Sequence, residues 1–393
     1  MKVVLNAASA KLGGAARYVR NLAAELAHEE RDEFVFVVPP ELAGELAGHA
    51  RNIRIVPTAA AHWPAWKRIY FDQVLLRKLL QREGADLLFS TANMGMSAAP
   101  CPQLLLVRNS LQFSPIYGRQ ILARMNWRAR LDSGLRRWLI CRSVEWADLV
   151  MFPSASMLDE VRPYVSQAAW KKFRVNAYGT MVESFTPTDQ THDGRLHHPV
   201  RLLHVSHYAD HKNIGVMLRA LEMLCETGLS DVVLTTTADI SDARYVISCC
   251  RNQDLATLAQ PQIQARVRAV GDIPHERLPA MYWEHDIFIF PSLAESYGHP
   301  LVEAMASGVP VVAADLPYAR EVCGEAALYF DPLSPTALAD QLRRVIEETV
   351  LRDQLRRRGL QRAAGMSWRS HVVNLLRLFR ELVDRPDGKH AQK

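Results

Sequence analysis

No apolar run in this 393-residue sequence approaches the roughly 20 residues needed to cross a bilayer. The first ten residues carry one Lys and a short apolar patch, too little for the core of a secretory signal, so the default expectation is a cytoplasmic protein. Cysteine is scarce. The six residues Cys101, Cys141, Cys225, Cys249, Cys250 and Cys323 include no Cys-x-x-Cys pair, and adjacent Cys249-Cys250 is poor spacing for a metal. Reduced thiols are the expected state. No Asp-x-Asp metal motif occurs, and no G-x-G-x-x-G follows the first strand-like run, which argues against a dinucleotide-dependent dehydrogenase.

The hydrophobic content of 49% and charged content of 23% suit a globular protein of two or three domains. A net charge of +5 is mildly basic. It is compatible with a phosphorylated ligand, an anionic membrane surface or nucleic acid, and selects none of them. Short β-branched runs at 3–5, 34–38, 86–89, 104–107 and 149–152 read as buried strands. Helical patterns such as 17–28 and 67–82 lie between them, with apolar residues three and four apart. The polar stretch 186–199 has no periodicity and reads as a linker. The alternation then restarts, with strands expected at 201–205, 232–235, 287–290, 309–313 and 326–329. Helices are expected at 213–225, 276–284, 301–307, 335–348, 351–364 and 368–383, and a polar tail follows from 384. Two successive α/β units of similar size are implied, each with a parallel sheet covered on both faces. In such units ligands bind beyond the carboxyl ends of the strands.

The segment 290–315, FPSLAESYGHPLVEAMASGVPVVAAD, is the most informative. A strand ends at Phe290, a loop carries Glu295 and Gly298, and Pro300 suits the first position of a helix. The free N–H groups expected at Leu301 and Val302, with the positive end of the helix dipole, would form an anion site. Gly298 would let the backbone approach a ligand closely. Glu303, expected in about the first turn, stands eight residues after Glu295. One carboxylate on the loop and one on the helix can each accept hydrogen bonds from neighbouring hydroxyls of one elongated ligand. The plain alternatives are a helix-terminal charge, worth a few tenths to about 1 kcal/mol, for Glu303, and a solvated loop residue for Glu295.

The E-x7-E spacing of Glu295 and Glu303 lies in the run PS-x-x-E-S-Y-G-H-P-L-V-E-A-M-A-S-G-V-P-V-V-A. Gly271-Asp272-Ile273 stands upstream and residues 324–332 downstream. This pattern resembles the retaining, metal-independent glycosyltransferases of GT-B fold, family 4, over essentially the whole chain and densely over 200–333. The resemblance implies two Rossmann-like doubly wound parallel-sheet domains facing each other across a cleft. It implies an acceptor-side domain at 1–185, a linker at 186–199 and a nucleotide-sugar-binding domain at 200–366. A C-terminal helix and tail at 367–393 would cross back to the first domain. It further implies that Glu303 binds the ribose hydroxyls of the donor and Glu295 its sugar hydroxyls. The backbone amides of Tyr297, Gly298 and His299 would hold the sugar, and those of Leu301 and Val302 the phosphates. Asp272 and Ile273 would line the base pocket through backbone contacts.

Residues 204–215, HVSHYADHKNIG, follow a strand and open a helix. By resemblance Lys212 matches the lysine that grips the diphosphate. The chain departs from the family at three places: His207 stands where Arg is usual, Ser206 where Gly is usual, and Asn213 at the second Gly. Either Lys212 and the helix dipole suffice, or His207 is protonated against the diphosphate. His207 and His211 also read as exposed loop histidines. Gly13-Gly14, after the first strand, is a close-approach loop that by resemblance faces donor phosphates and acceptor. Arg108 and Asn109, at the end of a first-domain strand, are candidates for contact with donor sugar or acceptor.

The stretch 118–147 holds seven Arg interleaved with Trp127, Trp138 and Trp146, against only Asp132 and Glu145. It reads either as a solvated helix with a core face or as a basic helix lying on an anionic membrane surface. Peripheral attachment to the inner face of the cytoplasmic membrane follows from the second reading. No nucleic-acid partner is expected, because no aromatic stacking platform or recognition motif accompanies the charge. The resemblance thus implies transfer of a sugar from a nucleotide diphosphate sugar to a glycan or lipid-linked acceptor. No metal and no other cofactor are expected, and bacterial surface polysaccharide or lipopolysaccharide assembly is the favoured setting, with GDP-mannose slightly ahead of UDP-hexoses. A non-catalytic sugar-nucleotide-binding subunit, a nucleotide-sugar epimerase or a phosphorylase of the same architecture remain alternatives.

Overall fold

The computed structural model describes residues 1–11, 13–46, 48, 50–187, 195–242 and 248–384. Two compact units are formed. The first comprises Met1–Phe113, Leu131–Gly179 and the chain from Trp368; the second comprises Ser114–Arg130 and Thr180–Ser367. A first domain running unbroken over 1–185 differs from this division in two places. Residues 114–130 join the second unit, where the Tyr117 and His211 rings lie 6.3 Å apart. Residues 180–185 join it too, because Phe185 is fully buried against Tyr282 and its carbonyl accepts from Trp283 Nε1 at 2.9 Å. Of the expected linker, 188–194 lie outside the described residues, as do 385–393 of the tail.

The first unit contains strands β1 (Lys2–Asn6), β2 (Glu33–Val38), β3 (Ile53–Pro57), β4 (Leu87–Ser90), β5 (Gln103–Leu106), β6 (Leu149–Phe152) and β7 (Phe173–Val175). They form one sheet in the order β3-β2-β1-β4-β5-β6-β7, every pairing parallel. Val3 faces Phe34 on one side and Leu87 on the other. Central strands such as β4 and β6 are buried along their whole length, as expected of strands covered by helices on both faces. The helix Trp368–Val383 belongs to this unit and sets its Phe379 ring 5.5 Å from that of Phe89.

The second unit contains β8 (Val200–His204), β9 (Val232–Thr236), β10 (Val267–Ala269), β11 (Ile287–Phe290), β12 (Val311–Ala314) and β13 (Ala327–Phe330), in the parallel order β10-β9-β8-β11-β12-β13. Strand order reverses at β8, whose neighbours are β9 and β11. The loops leaving β8 and β11 therefore diverge beside each other, and that is where a doubly wound sheet accepts its ligand.

The stretch 118–147 is not one continuous helix. It comprises the end of Pro115–Gln120, a 3-10 turn Leu122–Arg124, and the helix Trp127–Trp146. On the last, Ile140 and Val144 face the core, while Trp127, Leu131, Leu135 and Trp138 form an exposed stripe on the other side.

Candidate functional site

The two loops at the reversal of the second sheet bring the sequence-predicted residues together. After β8 the chain makes a 3-10 turn, Asp210–Lys212, and then passes through Asn213 with φ 55° and ψ 41° before the helix Ile214–Glu226. Left-handed backbone disfavours most side chains, and Asn is among the few that tolerate it. Here its amide also donates to the carbonyls of Pro332 at 2.8 Å and Pro291 at 3.3 Å, tying this loop to the one that leaves β11. That explains why Asn replaces the usual Gly. On the same turn, Lys212 Nζ donates to Glu295 Oε1 at 2.6 Å, and the two side chains are only 11% and 16% exposed. The Leu293 N–H donates to the His211 carbonyl at 2.7 Å. The loops that carry the ammonium and the carboxylate are thus joined by a backbone hydrogen bond as well.

Gly298, with φ 97°, caps the helix His299–Ala306, and a Cβ there would lie 3.0 Å from Leu301 Cδ1. Three local expectations need correction. The helix begins at His299, so Pro300 takes its second position. Neither expected N–H is free: Leu301 donates to the Gly298 carbonyl at 3.0 Å, and Val302, the fourth residue of the helix, makes the first helical bond to that same carbonyl. Glu303 lies in the second turn rather than the first, is 2% exposed, and accepts from the Tyr282 hydroxyl at 3.1 Å through Oε2. A buried carboxylate loses strong hydration, so Glu303 is not the solvated helix-end charge of the plain reading. Leu301 and Val302 side chains are buried, Tyr297 is buried with its ring 5.5 Å from that of His299, and Asp272 is exposed beside half-buried Ile273.

The electrostatics of the pocket favour neutral histidines. His207 is exposed, as one sequence reading had it, yet partial loss of solvent, then the Lys212 ammonium, holds it below its ordinary range, although Glu295 and Asp272 pull the other way. Between the two roles open to His207, the ligand-free protein thus presents a neutral ring. His204, fully buried at the end of β8, is pushed down to about 3 by burial, then by Lys212 and His207, and its Nδ1 pairs with Thr236 Oγ1 at 2.9 Å. Burial, then the charge of Glu295, raises Tyr318 well above the phenolic range, and its hydroxyl donates to the Ser292 carbonyl at 2.6 Å. Tyr282, Tyr318 and Thr237, whose hydroxyl accepts from the Ser206 N–H and donates to the Ser206 carbonyl, are supports that sequence reasoning missed. They sit on other elements, and no local pattern marks them.

The remaining candidates lie in the first unit. Gly13 and Gly14 are the exposed first residues of the helix Gly13–Leu26 rather than a loop, and Gly13 has φ 63°. A Cβ on Gly14 would lie 3.8 Å from Arg108 Nη2, so these residues share one corner. Asn93 fixes the loop after β5: its Oδ1 accepts the N–H groups of Arg108 at 2.7 Å and Asn109 at 3.0 Å. The Arg108 guanidinium lies 5.9 Å over the Tyr18 ring.

The family model Glycosyl transferases group 1 matches residues 190–362, and the model Glycosyltransferase Family 4 matches residues 12–175. The chain belongs to glycosyltransferase family 4. It is similar to the O-antigen chain mannosyltransferase B of Escherichia coli, 32% identical over 116 residues, which is 30% of each protein. The chain spans about a third to about half the length of the curated relatives it matches first. Among solved structures, a sucrose-phosphate synthase from Thermosynechococcus elongatus superposes with a TM-score of 0.78 at 19% identity, covering 98% of this chain and 99% of that one. Anabaena HepE in complex with UDP gives 0.72 at 17% identity, covering 97% and 100%. At these identities the likeness establishes the fold, which is GT-B, with two Rossmann-like parallel-sheet units.

Proposed function

We propose that this chain is a retaining glycosyltransferase that moves a hexose, with mannose from GDP-mannose ahead of UDP-hexoses, onto a glycan or lipid-linked glycan in bacterial surface polysaccharide or lipopolysaccharide assembly. The observation that carries the reading is the Lys212–Glu295 pair at the reversal of the second sheet, with buried Glu303 on the helix that follows the same loop. Glu303, oriented by Tyr282, takes the ribose hydroxyls. Glu295 takes hydroxyls of the donor sugar, with the backbone of Tyr297, Gly298 and His299. Lys212 and the positive end of the helix that starts at His299 stabilise the charge that develops on the departing diphosphate, and the Leu301 and Val302 amides add donors shared with the Gly298 carbonyl. His207 borders the phosphates as a neutral hydrogen-bonding group, and the backbone of Asp272 and Ile273 lines the base. Gly13, Gly14, Arg108 and Asn109 serve the acceptor or the donor sugar from the first unit. The mannosyltransferase relative supports the sugar, and the UDP complex of HepE supports a nucleotide diphosphate ligand.

Retention without a protein nucleophile fits a same-face reaction, in which the leaving phosphate takes the acceptor's proton. The cationic side chain and helix dipole do the work that Mg2+ or Mn2+ would otherwise do, so turnover needs neither ion. The test is product analysis by NMR with GDP-mannose or a UDP-hexose and a lipid-linked oligosaccharide acceptor. A product with the donor's anomeric configuration supports the reading. Isomerised nucleotide sugar, sugar phosphate made from phosphate, or binding without turnover would each replace it.

The exposed stripe Trp127, Leu131, Leu135 and Trp138 supports a second, compatible proposal. Flanked by Arg128, Arg130 and Arg137 on a helix whose opposite side enters the core, it suits the interface of an anionic membrane. No described helix is long and apolar enough to cross one.

A further inference from the structure

A second cluster lies off the donor residues, where the segment leading into the helix Arg251–Leu258 meets the turn Asp210–Lys212. The Asp210 carboxylate accepts the N–H groups of Cys249 at 3.0 Å and Cys250 at 3.3 Å, and the Ser248 hydroxyl as well. The Cys249 thiol also hydrogen-bonds to it. The two sulfur atoms are 3.7 Å apart, far from the ~2.05 Å of a disulfide, so the pair is reduced. One donor atom from each of Asp210, Cys249 and Cys250 lies within 4.8 Å of the others.

The sulfur spacing already suits a shared cation. Two zinc–sulfur bonds of ~2.3 Å meeting at the tetrahedral angle place their sulfurs about 3.8 Å apart. The sequence spacing looks unsuitable because neighbouring residues usually point apart. Here the backbone N–H groups of both cysteines are anchored on one carboxylate, and the thiols are turned to the same side. A carboxylate offers about four acceptor sites, and the one facing Cys249 is occupied only by a thiol proton that a cation would displace. Cys249 is exposed, and Cys250 and Asp210 also line an open polar cleft of about 260 Å³ with Arg124, Arg219 and Asp254, so an ion has a path in.

We propose that Asp210, Cys249 and Cys250 form a binding site for one soft divalent cation of the zinc and cadmium class, with the fourth position open to solvent. Binding releases the two thiol protons to water, and the cysteines bind as thiolates with no change of oxidation state. Because Asp210 opens the turn that ends at Lys212, an occupied site braces that turn.

The full-length chain, reduced and stripped with chelator, is titrated with Cd2+ while the ultraviolet thiolate-to-cadmium charge-transfer band is recorded. The expected result is a band that saturates at one equivalent and is displaced by Zn2+. It is lost in Cys249→Ser and in Cys250→Ser and unchanged in Cys225→Ser. Asp210→Asn weakens affinity about tenfold or more. Circular dichroism verifies that each variant is folded. Absence of a saturable band in the folded wild type overturns the proposal, and so does a band of full size in Cys249→Ser and Cys250→Ser.

Discussion

Replacing Lys212 with Met tests both the packing of the site and its chemistry. The ammonium and the Glu295 carboxylate meet at 2.6 Å with 11% and 16% of their side chains exposed. Removing one member of a buried pair costs about 3–5 kcal/mol, chiefly because the other charge is left unpaired. Both groups reach the edge of the pocket, so about 2–3 kcal/mol is the expectation, and water recovers the rest. For a unit of this size, that lowers the thermal midpoint by about 5–10 °C. Glu295→Gln alone leaves the Lys, the more buried of the two, without its charge partner. The double variant Lys212→Met/Glu295→Gln then costs less than the sum of the singles by about 1–2 kcal/mol. Activity behaves differently. Losing a preorganised charge aimed at the departing diphosphate lowers kcat by about 10²–10³, and neutralising Glu295 does not restore it. Calorimetry and steady-state kinetics on the three variants decide. A Lys212→Met protein within about threefold of wild-type turnover would refute the catalytic role, and strictly additive stabilities would refute the pair.

Three further outcomes are expected. Gly298→Ala introduces a Cβ at φ 97° and 3.0 Å from Leu301 Cδ1, a strain of about 1–3 kcal/mol that shifts the loop, so calorimetry shows a lower midpoint and donor affinity falls by about tenfold or more. His371 is buried, bonded to the Ala177 carbonyl and to Tyr18, and held down to about 4 chiefly by burial. An unfolded chain takes up this proton near pH 6.5, while the folded one refuses it until about pH 4. The first unit therefore keeps this contribution above about pH 6.5 and loses about 3 kcal/mol as pH falls through 4, a loss that His371→Gln abolishes in urea melts. Flotation with anionic vesicles at low salt recovers the wild-type chain and leaves a Leu135→Asp/Trp138→Asp variant behind; equal recovery of both would remove the membrane proposal.

Much of the architecture was legible because the central strands are buried on both faces and appear as unbroken apolar runs. The segments 149–152, 287–290 and 368–383 coincide with observed elements. The strands that sequence reasoning missed, β3, β7 and β10, all lie at sheet edges. They read IRIVP, FRV and VRA, each with an Arg and with residues open to solvent, so they carry neither a buried run nor a clean alternation. At the site, Glu295, Gly298 and Glu303 were readable because one loop and one helix start carry them all. Tyr282 was not, since only folding sets its hydroxyl against Glu303. Nor was the αL role of Asn213, whose amide spans two loops far away in sequence. In the first unit, Asn93 orients the Arg108 loop from a neighbouring strand end, a relation that no motif records.

The most direct measurement is a thermal-shift panel of nucleotide diphosphate sugars on the wild-type chain and on Glu303→Gln, which removes the charge from a carboxylate only 2% exposed while keeping its shape. A true donor at a hundred times its Kd stabilises the wild type by about 2.7 kcal/mol. The account predicts that at least one such sugar does so and that Glu303→Gln, still folded, loses the shift. A panel in which no nucleotide sugar stabilises the wild type, or in which Glu303→Gln responds equally, would contradict it.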